Sequence, residues 1–154
     1  MKIRALLCIA SMLPTGLAAP AYAASFTPAS STINGWGLSE LNGTACYATV
    51  AGTTSLWGDS VSVRFTHSGA APCTDIVVDA VVEANGDVKD VKVYFLPVSS
   101  TVPVCDGTGI THFSAITLNN FGINVDAETY PFAITVAGCS FWTSVTMGPM
   151  QVVP

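Results

Sequence analysis

Charged side chains are scarce in this sequence, which holds five Lys and Arg and ten Asp and Glu among its 154 residues. The charged fraction is 10%, whereas an average protein carries about 25%. The few basic residues form no cluster, so neither nucleic acid nor anionic lipid is an expected partner. The polar surface must instead come from Ser, Thr, Asn and Gly, a composition typical of exported β-proteins, adhesins and extracellular fibres.

Catalytic and cofactor-binding motifs are also missing. A catalytic triad would need one of the two histidines, His67 or His112, but no G-x-S-x-G nucleophile motif and no Gly-rich phosphate loop is present. Asp87, Asp90 and Asp106 stand in or near predicted turns and lack the ligand spacing of an EF-hand loop. The sequence therefore predicts no catalytic residue, no metal site and no cofactor, with a secreted hydrolase kept as an alternative.

An apolar run over residues 5–13 is too short to span a bilayer, which takes about 20 apolar residues. Lys2 and Arg4 precede this run, and Ala21-Tyr22-Ala23 offers small residues for cleavage. We therefore predict a signal peptide over residues 1–23 and a secreted domain over residues 24–154, extracellular, at the cell surface or periplasmic. Cleavage removes Lys2 and Arg4, changes the net charge from −5 to −7 and leaves no transmembrane segment.

The cysteine content fits export. Cleavage removes Cys8 and leaves Cys46, Cys73, Cys105 and Cys139. An even count in an oxidising compartment predicts two disulfides, and four cysteines allow three pairings. No two have the C-x-x-C spacing of a zinc or redox site. Among the three, we favour the sequential pairing of Cys46 with Cys73 and of Cys105 with Cys139.

Alternating apolar residues between turn signals predict an all-β fold. Residues 60–67 place Val and Phe on one face and Ser, Arg and Thr on the other, and Asn85-Gly86 is the strongest hairpin signal. Strands are predicted over residues 44–51, 60–67, 75–83, 88–96, 111–118, 122–125, 132–137, 139–147 and 150–153, with a turn at Asn119-Asn120. Residues 24–35 form either a flexible arm or an edge strand. The prediction is one antiparallel β-sandwich or barrel-like domain of about seven to nine strands with two disulfides.

Three tryptophans are the candidates for ligand contact. Trp36 and Trp57 stand beside glycines near predicted turns, where a ring is less easily buried, whereas Trp142 lies in a predicted strand and is expected in the core. Trp36 and Trp57 are therefore the candidate contacts to a glycan or a lipid, with packing inside the domain as the alternative. Asp126 and Glu128 are two residues apart and could share one face, as a solvated pair.

Several segments together resemble a known family. After the Ala-x-Ala signal the chain opens with Ser25-Phe26-Thr27-Pro28-Ala29 and continues into Thr44-Ala45-Cys46-Tyr47-Ala48-Thr49-Val50-Ala51-Gly52-Thr53. A Ser/Thr-rich stretch and a second cysteine, Cys73, follow. This pattern resembles the small secreted bacterial proteins called activators of alkane oxidation, the PraB-like group. The resemblance implies a non-enzymatic protein that assists growth on hydrophobic substrates or contributes to the cell surface or biofilm matrix.

These observations predict a secreted, non-enzymatic, surface-associated β-protein whose partners are apolar interfaces, the cell surface or further copies of itself. In a pilin-like form, residues 24–35 or Met150–Pro154 would complete the sheet of a neighbouring copy. The alternative is an extracellular module that binds a glycan or a lipid through Trp36 and Trp57.

Overall fold

A computed structural model describes residues 23–71, 73–95, 102–129 and 133–154. The predicted signal peptide lies outside the described residues apart from Ala23, as do Leu96 and Phe132 at the ends of two predicted strands. The described residues form thirteen β-strands and one 3-10 turn. None of their helical segments is long and apolar enough to cross a membrane.

The strands are numbered in chain order. Their bounds are β1 (Ser25–Thr27), β2 (Thr32–Leu41), β3 (Thr44–Thr54), β4 (Ser60–Ser68), β5 (Ile76–Glu83), β6 (Val88–Phe95), β7 (Cys105–Asp106), β8 (Thr111–His112), β9 (Thr117–Phe121), β10 (Asn124–Glu128), β11 (Ile134–Val136), β12 (Cys139–Gly148) and β13 (Gln151–Val153). The 3-10 turn, Cys73–Asp75, lies between β4 and β5. Eight of these strands have at least five residues, and the other five have two or three.

Eleven strands form one antiparallel sheet in the order β7-β6-β5-β4-β3-β2-β12-β10-β9, with β11 also paired to β12 and β8 to β6. The remaining two, β1 and β13, form a separate antiparallel pair, which we call the ribbon. The large sheet does not close into a barrel, because β9 and β7 are not hydrogen-bonded to each other. The predicted antiparallel, sandwich-like all-β fold is therefore confirmed.

One hydrophobic core fills the space inside the folded sheet. The predicted alternation of residues 60–67 is confirmed, with Val61, Val63 and Phe65 buried. The Phe65 ring on β4 meets the Phe141 ring on β12 edge to face, with centroids 5.4 Å apart. Two strands, β3 and β2, separate β4 from β12 in the sheet. The sheet must therefore bend over on itself to bring the two rings together.

Both disulfides have the predicted sequential pairing. Cys46 on β3 is bonded to Cys73 in the 3-10 turn that follows β4. Cys105 on β7 is bonded to Cys139 at the start of β12. The second bond joins strands far apart in the sheet order, so it fastens the β7 edge to the opposite layer.

The prediction of an arm or edge strand over residues 24–35 is wrong for residues 32–35. Ser25–Thr27 form β1, which is paired with β13 in the ribbon, but residues 32–35 begin β2, and β2 pairs with β3 along one side and with β12 along the other. Trp36 lies inside the same strand and not near a turn. The glycines beside Trp36 were interpreted as turn signals, but within a strand glycine permits a close backbone approach. At Gly37 an added Cβ would collide with backbone atoms of Ser144 and Val145 on β12.

The predicted turn at Asn119-Asn120 was also wrong. Both residues lie inside β9, and the turn comes at Gly122, which has a φ of 61°. The Asn120 side chain donates to Val152 O and accepts from Val152 N, each at 2.8 Å. Asparagine by itself favours a turn, but β13 supplies hydrogen-bond partners for this side-chain amide, so Asn120 lies in a strand.

Candidate functional site

The two candidate tryptophans are exposed but stand at separate places. Trp36 points outward from the middle of β2 and is 73% exposed, whereas Trp57 lies in the β3–β4 turn and is 80% exposed. The prediction that Trp142 is in the core was wrong, because it is half-buried on the outer face of β12. Its neighbour Phe141 takes the inward position, and successive strand residues point to opposite faces.

A groove of about 570 Å³ crosses the outer face of the sheet beside Trp36. Two rows of cross-strand neighbours line it. One row holds Trp36, Thr146, Asp126 and Asn119, and the other holds Tyr47, Leu38, Ser144 and Glu128. We call this the Trp36 groove. Its β3–β2 side is aromatic and apolar, and its β12–β10–β9 side carries hydroxyl, carboxylate and amide groups.

The Trp36 groove is acidic. Asp126 is held in place by Thr146, whose Oγ1 donates a 2.6 Å hydrogen bond to Asp126 Oδ1. Glu128 lies next to Asp126 on the same face of β10 and is exposed. Within the described part of the chain, no Lys, Arg or His lines the groove. An anionic ligand would therefore be repelled.

A second feature is a set of large apolar side chains on two turns. Leu56 and Trp57 lie in the β3–β4 turn and are 70% and 80% exposed. Phe121 ends β9 and is 66% exposed, and Ile123 lies in the β9–β10 turn and is 71% exposed. We call these four residues the apolar end.

The ribbon connects the two turns of the apolar end. Phe26 on β1 donates its backbone N–H to Gly58 O in the β3–β4 turn. Phe26 is paired with Val152 on β13, and Val152 is hydrogen-bonded to Asn120 on β9. The path from Gly58 through Phe26 and Val152 to Asn120 crosses about three inter-strand spacings, or ~15 Å. Both turns therefore flank one ribbon at one end of the molecule.

The three basic side chains of the described chain lie on β4 and β6, and none belongs to the two turns of the apolar end. Arg64 on β4 makes two 2.7 Å hydrogen bonds with Asp79 on β5. Lys89 on β6 pairs with Glu83 on β5. The third basic residue of the described chain, Lys92, is also on β6. Within that part of the chain, no positive charge stands on the two turns to attract an anionic surface.

The acidic residues considered for metal binding are engaged in turns. Asp106 Oδ1 accepts hydrogen bonds from the backbone N and Oγ1 of Thr108, at 2.9 and 2.6 Å, which lowers the pKa of Asp106. Asp87 Oδ1 accepts a hydrogen bond from Ser114 N, and Asp90 Oδ1 accepts one from Gly109 N, both at 2.7 Å. The described residues contain no group of three or more His, Cys, Asp or Glu that could hold a metal ion.

His67 is buried on β4, with its Nδ1 atom 3.0 Å from Ile76 O. Among the described residues, its Nε2 atom and that of His112 have no hydrogen-bond partner. The structure therefore gives no geometry for a triad at either histidine within the described chain. Burial lowers the pKa of His67.

This burial predicts an acid-sensitive fold. The unfolded chain binds a proton at His67 near pH 6.5, whereas the folded chain resists protonation until lower pH. The contribution to stability is complete above about pH 6.5 and falls as the pH drops toward the folded pKa, by at most about 1.4 kcal/mol per pH unit. Urea unfolding at pH 7, 6 and 5 should show this loss in the wild type and not in His67→Gln.

The comparison variant is His112→Gln, which leaves His67 in place, so the loss of stability assigned to His67 should persist in it. A His67→Gln variant with the same slope as the wild type would contradict the assignment to His67.

Sequence reasoning missed most of the Trp36 groove and three of the four residues of the apolar end. Leu38 was detectable, because it is two residues from Trp36 and shares its strand face. Phe121 and Ile123 gave a signal as two large apolar residues around a turn glycine. The groove residues on β9 and β12 gave none, since only the strand register brings them beside Trp36.

Comparisons of the chain with protein-family models, curated proteins and solved structures give no match. Its function is therefore inferred from the Trp36 groove and the apolar end.

Proposed function

We propose that this is an exported, non-catalytic protein that adsorbs to uncharged apolar interfaces through its apolar end. The observation that carries the proposal is the exposure of four large apolar side chains on two turns beside one ribbon. Burying such a side chain fully is worth about 1.5–3 kcal/mol. In the free protein the four side chains lie outside the core, so this free energy is available for adsorption.

Three further features support an interface without charge as the target. The described chain has no basic residue on the two turns. The predicted mature chain has a net charge of −7, which disfavours anionic lipids. Side chains at turn tips can enter a fluid interface, and indole rings favour such boundaries. The two disulfides fit an oxidising compartment.

The resemblance to activators of alkane oxidation makes a liquid alkane the first interface to test. A role in the cell-surface or biofilm matrix stays a prediction. Ser25–Thr27 and Gln151–Val153 pair with each other within one chain. A pilin-like assembly would therefore require these two strands to separate and pair with a neighbouring copy.

The test measures partition of the purified mature chain onto hexadecane droplets and phosphatidylcholine vesicles. We expect the double variant Leu56→Ser, Trp57→Ser to lower the partition coefficient by about two orders of magnitude, because two large apolar contacts are lost. Added salt should not weaken adsorption, since no ion pair contributes.

The control is Phe95→Ser. Phe95 is exposed and ends β6, where it pairs with Ile76 at the opposite end of β5 from Glu83, which pairs with Ser60 after the β3–β4 turn. This variant should adsorb like the wild type. A wild-type protein that stays in the aqueous phase, or equal losses in Phe95→Ser and the double variant, would overturn the proposal.

A further inference from the structure

The Trp36 groove has the composition of a binding site and is separate from the apolar end. Trp36 exposes most of its indole ring on a sheet face whose cross-strand neighbours are the small residues Thr49 and Thr146. This ring adds nothing to the hydrophobic core. It offers a flat stacking surface whose burial a ligand would provide.

The dimensions of the groove favour an extended ligand. Trp36 and Asn119 stand at the two ends of one row, three strand spacings apart, or about 14 Å. Hydroxyl and carboxylate groups from Thr146 and Asp126 fill the row between them. A volume of about 570 Å³ lies within the usual range for ligand sites, about 300–1,000 Å³.

The chemistry of the groove excludes several ligand classes. Anionic ligands face Asp126 and Glu128 without a basic partner among the described lining residues. A purely apolar ligand would cover those carboxylates without satisfying them, which is costly. An extended peptide cannot add as a further strand beside Trp36, because β2 and β12 already pair along both sides.

We propose that the Trp36 groove binds a neutral polysaccharide. The C–H face of one sugar ring stacks on the Trp36 indole, with Tyr47 and Leu38 extending the apolar side. Hydroxyl groups of the following sugars donate to Asp126 and Glu128, which makes charge-assisted hydrogen bonds. Asn119 adds both a donor and an acceptor at the far end of the row.

The test is affinity electrophoresis of the mature chain through gels that contain a soluble neutral polysaccharide. A mixed-linkage β-glucan, a xylan, a galactomannan and soluble starch form the panel, with polygalacturonate as the anionic comparison. We expect retardation by at least one neutral polymer and none by polygalacturonate. Trp36→Ala should weaken binding about tenfold or more, as truncation of a central aromatic contact does.

Two variants sharpen the result. Asp126→Asn keeps the shape of the side chain but removes its charge, so binding should weaken severalfold. Trp57→Ala removes the equally exposed indole of the apolar end and should bind the polysaccharide like the wild type. The same Trp57→Ala variant should weaken adsorption to hexadecane, whereas Trp36→Ala should leave it unchanged, so failure of one proposal is distinguished from failure of the other.

Three outcomes would overturn the groove proposal. They are the absence of retardation by every neutral polymer, equal binding by Trp36→Ala and the wild type, and fluorescence changes at Trp36 with oligolysine or choline alone. Urea unfolding of Trp36→Ala, which should match the wild type because the ring is exposed, shows that lost binding does not reflect lost folding.

Discussion

Replacing Phe65 or Phe141 by Ala should lower the free energy of unfolding by about 3–5 kcal/mol, the usual cost of truncating a buried Phe. The two rings are 2% and 3% exposed and contact each other from strands that are not neighbours in the sheet. Each truncation removes apolar surface and leaves a cavity between the two layers. A domain of this size has a total stability of about 5–15 kcal/mol. Urea denaturation followed by circular dichroism measures the loss.

The edge-to-face contact predicts that the two losses are not additive. Such a pair contributes about 0.5–1.5 kcal/mol beyond the area that it buries, so the double variant should lose less than the sum of the single variants by about that amount. Phe121→Ala is the control, because Phe121 is on the surface and its loss should cost about 0.5 kcal/mol or less. Strict additivity at Phe65 and Phe141 would show that the layers do not meet through these rings.

Removing the Cys105–Cys139 disulfide should cost about 3–4 kcal/mol. The bond joins two cysteines that are 34 residues apart in the sequence. A crosslink over that distance lowers the entropy of the unfolded chain, and the resulting stabilisation is of this size. Both cysteines are buried, so the variant uses Cys105→Ala with Cys139→Ala, which buries no new hydroxyl. Thermal unfolding without reductant compares this variant with the wild type.

The position of this bond predicts where the loss appears. Val104 and Gly107 donate their N–H groups to Val93 O and Val91 O, which holds the β7 edge on β6. Without the bond to β12, these amides should exchange with solvent faster than the amides of β3 and β4.

The matched control is Cys46→Ala with Cys73→Ala, which removes a crosslink of 27 residues in sequence separation. It should cost a similar free energy, because the two loops have nearly the same length. Faster amide exchange should appear instead around the 3-10 turn, whereas the amides of Val104 and Gly107 should exchange more slowly than those of that turn. Identical exchange patterns in the two variants would contradict the role given to Cys105–Cys139.

Local sequence patterns were enough to predict the strands with a strict alternation and the presence of two disulfides. Residues 60–67 and the hairpin around Asn85-Gly86 were predictable because neighbouring residues decide them, through side chains that alternate between faces and a turn that needs a positive φ at Gly86. The presence of two disulfides followed from an even cysteine count in an exported chain, whereas the sequential pairing was one of three that the sequence left open.

The tertiary fold alone sets everything that depends on register between distant strands. It turned the segment around Trp36 into a central strand, moved Trp142 out of the core and placed Asp126 two strands away from Trp36 on the same face. It also tied the turns of Trp57 and Ile123 to one ribbon formed by the two ends of the described chain. A local pattern fixes which residues alternate, but which strands become neighbours depends on burying one shared core, and that is a property of the whole chain.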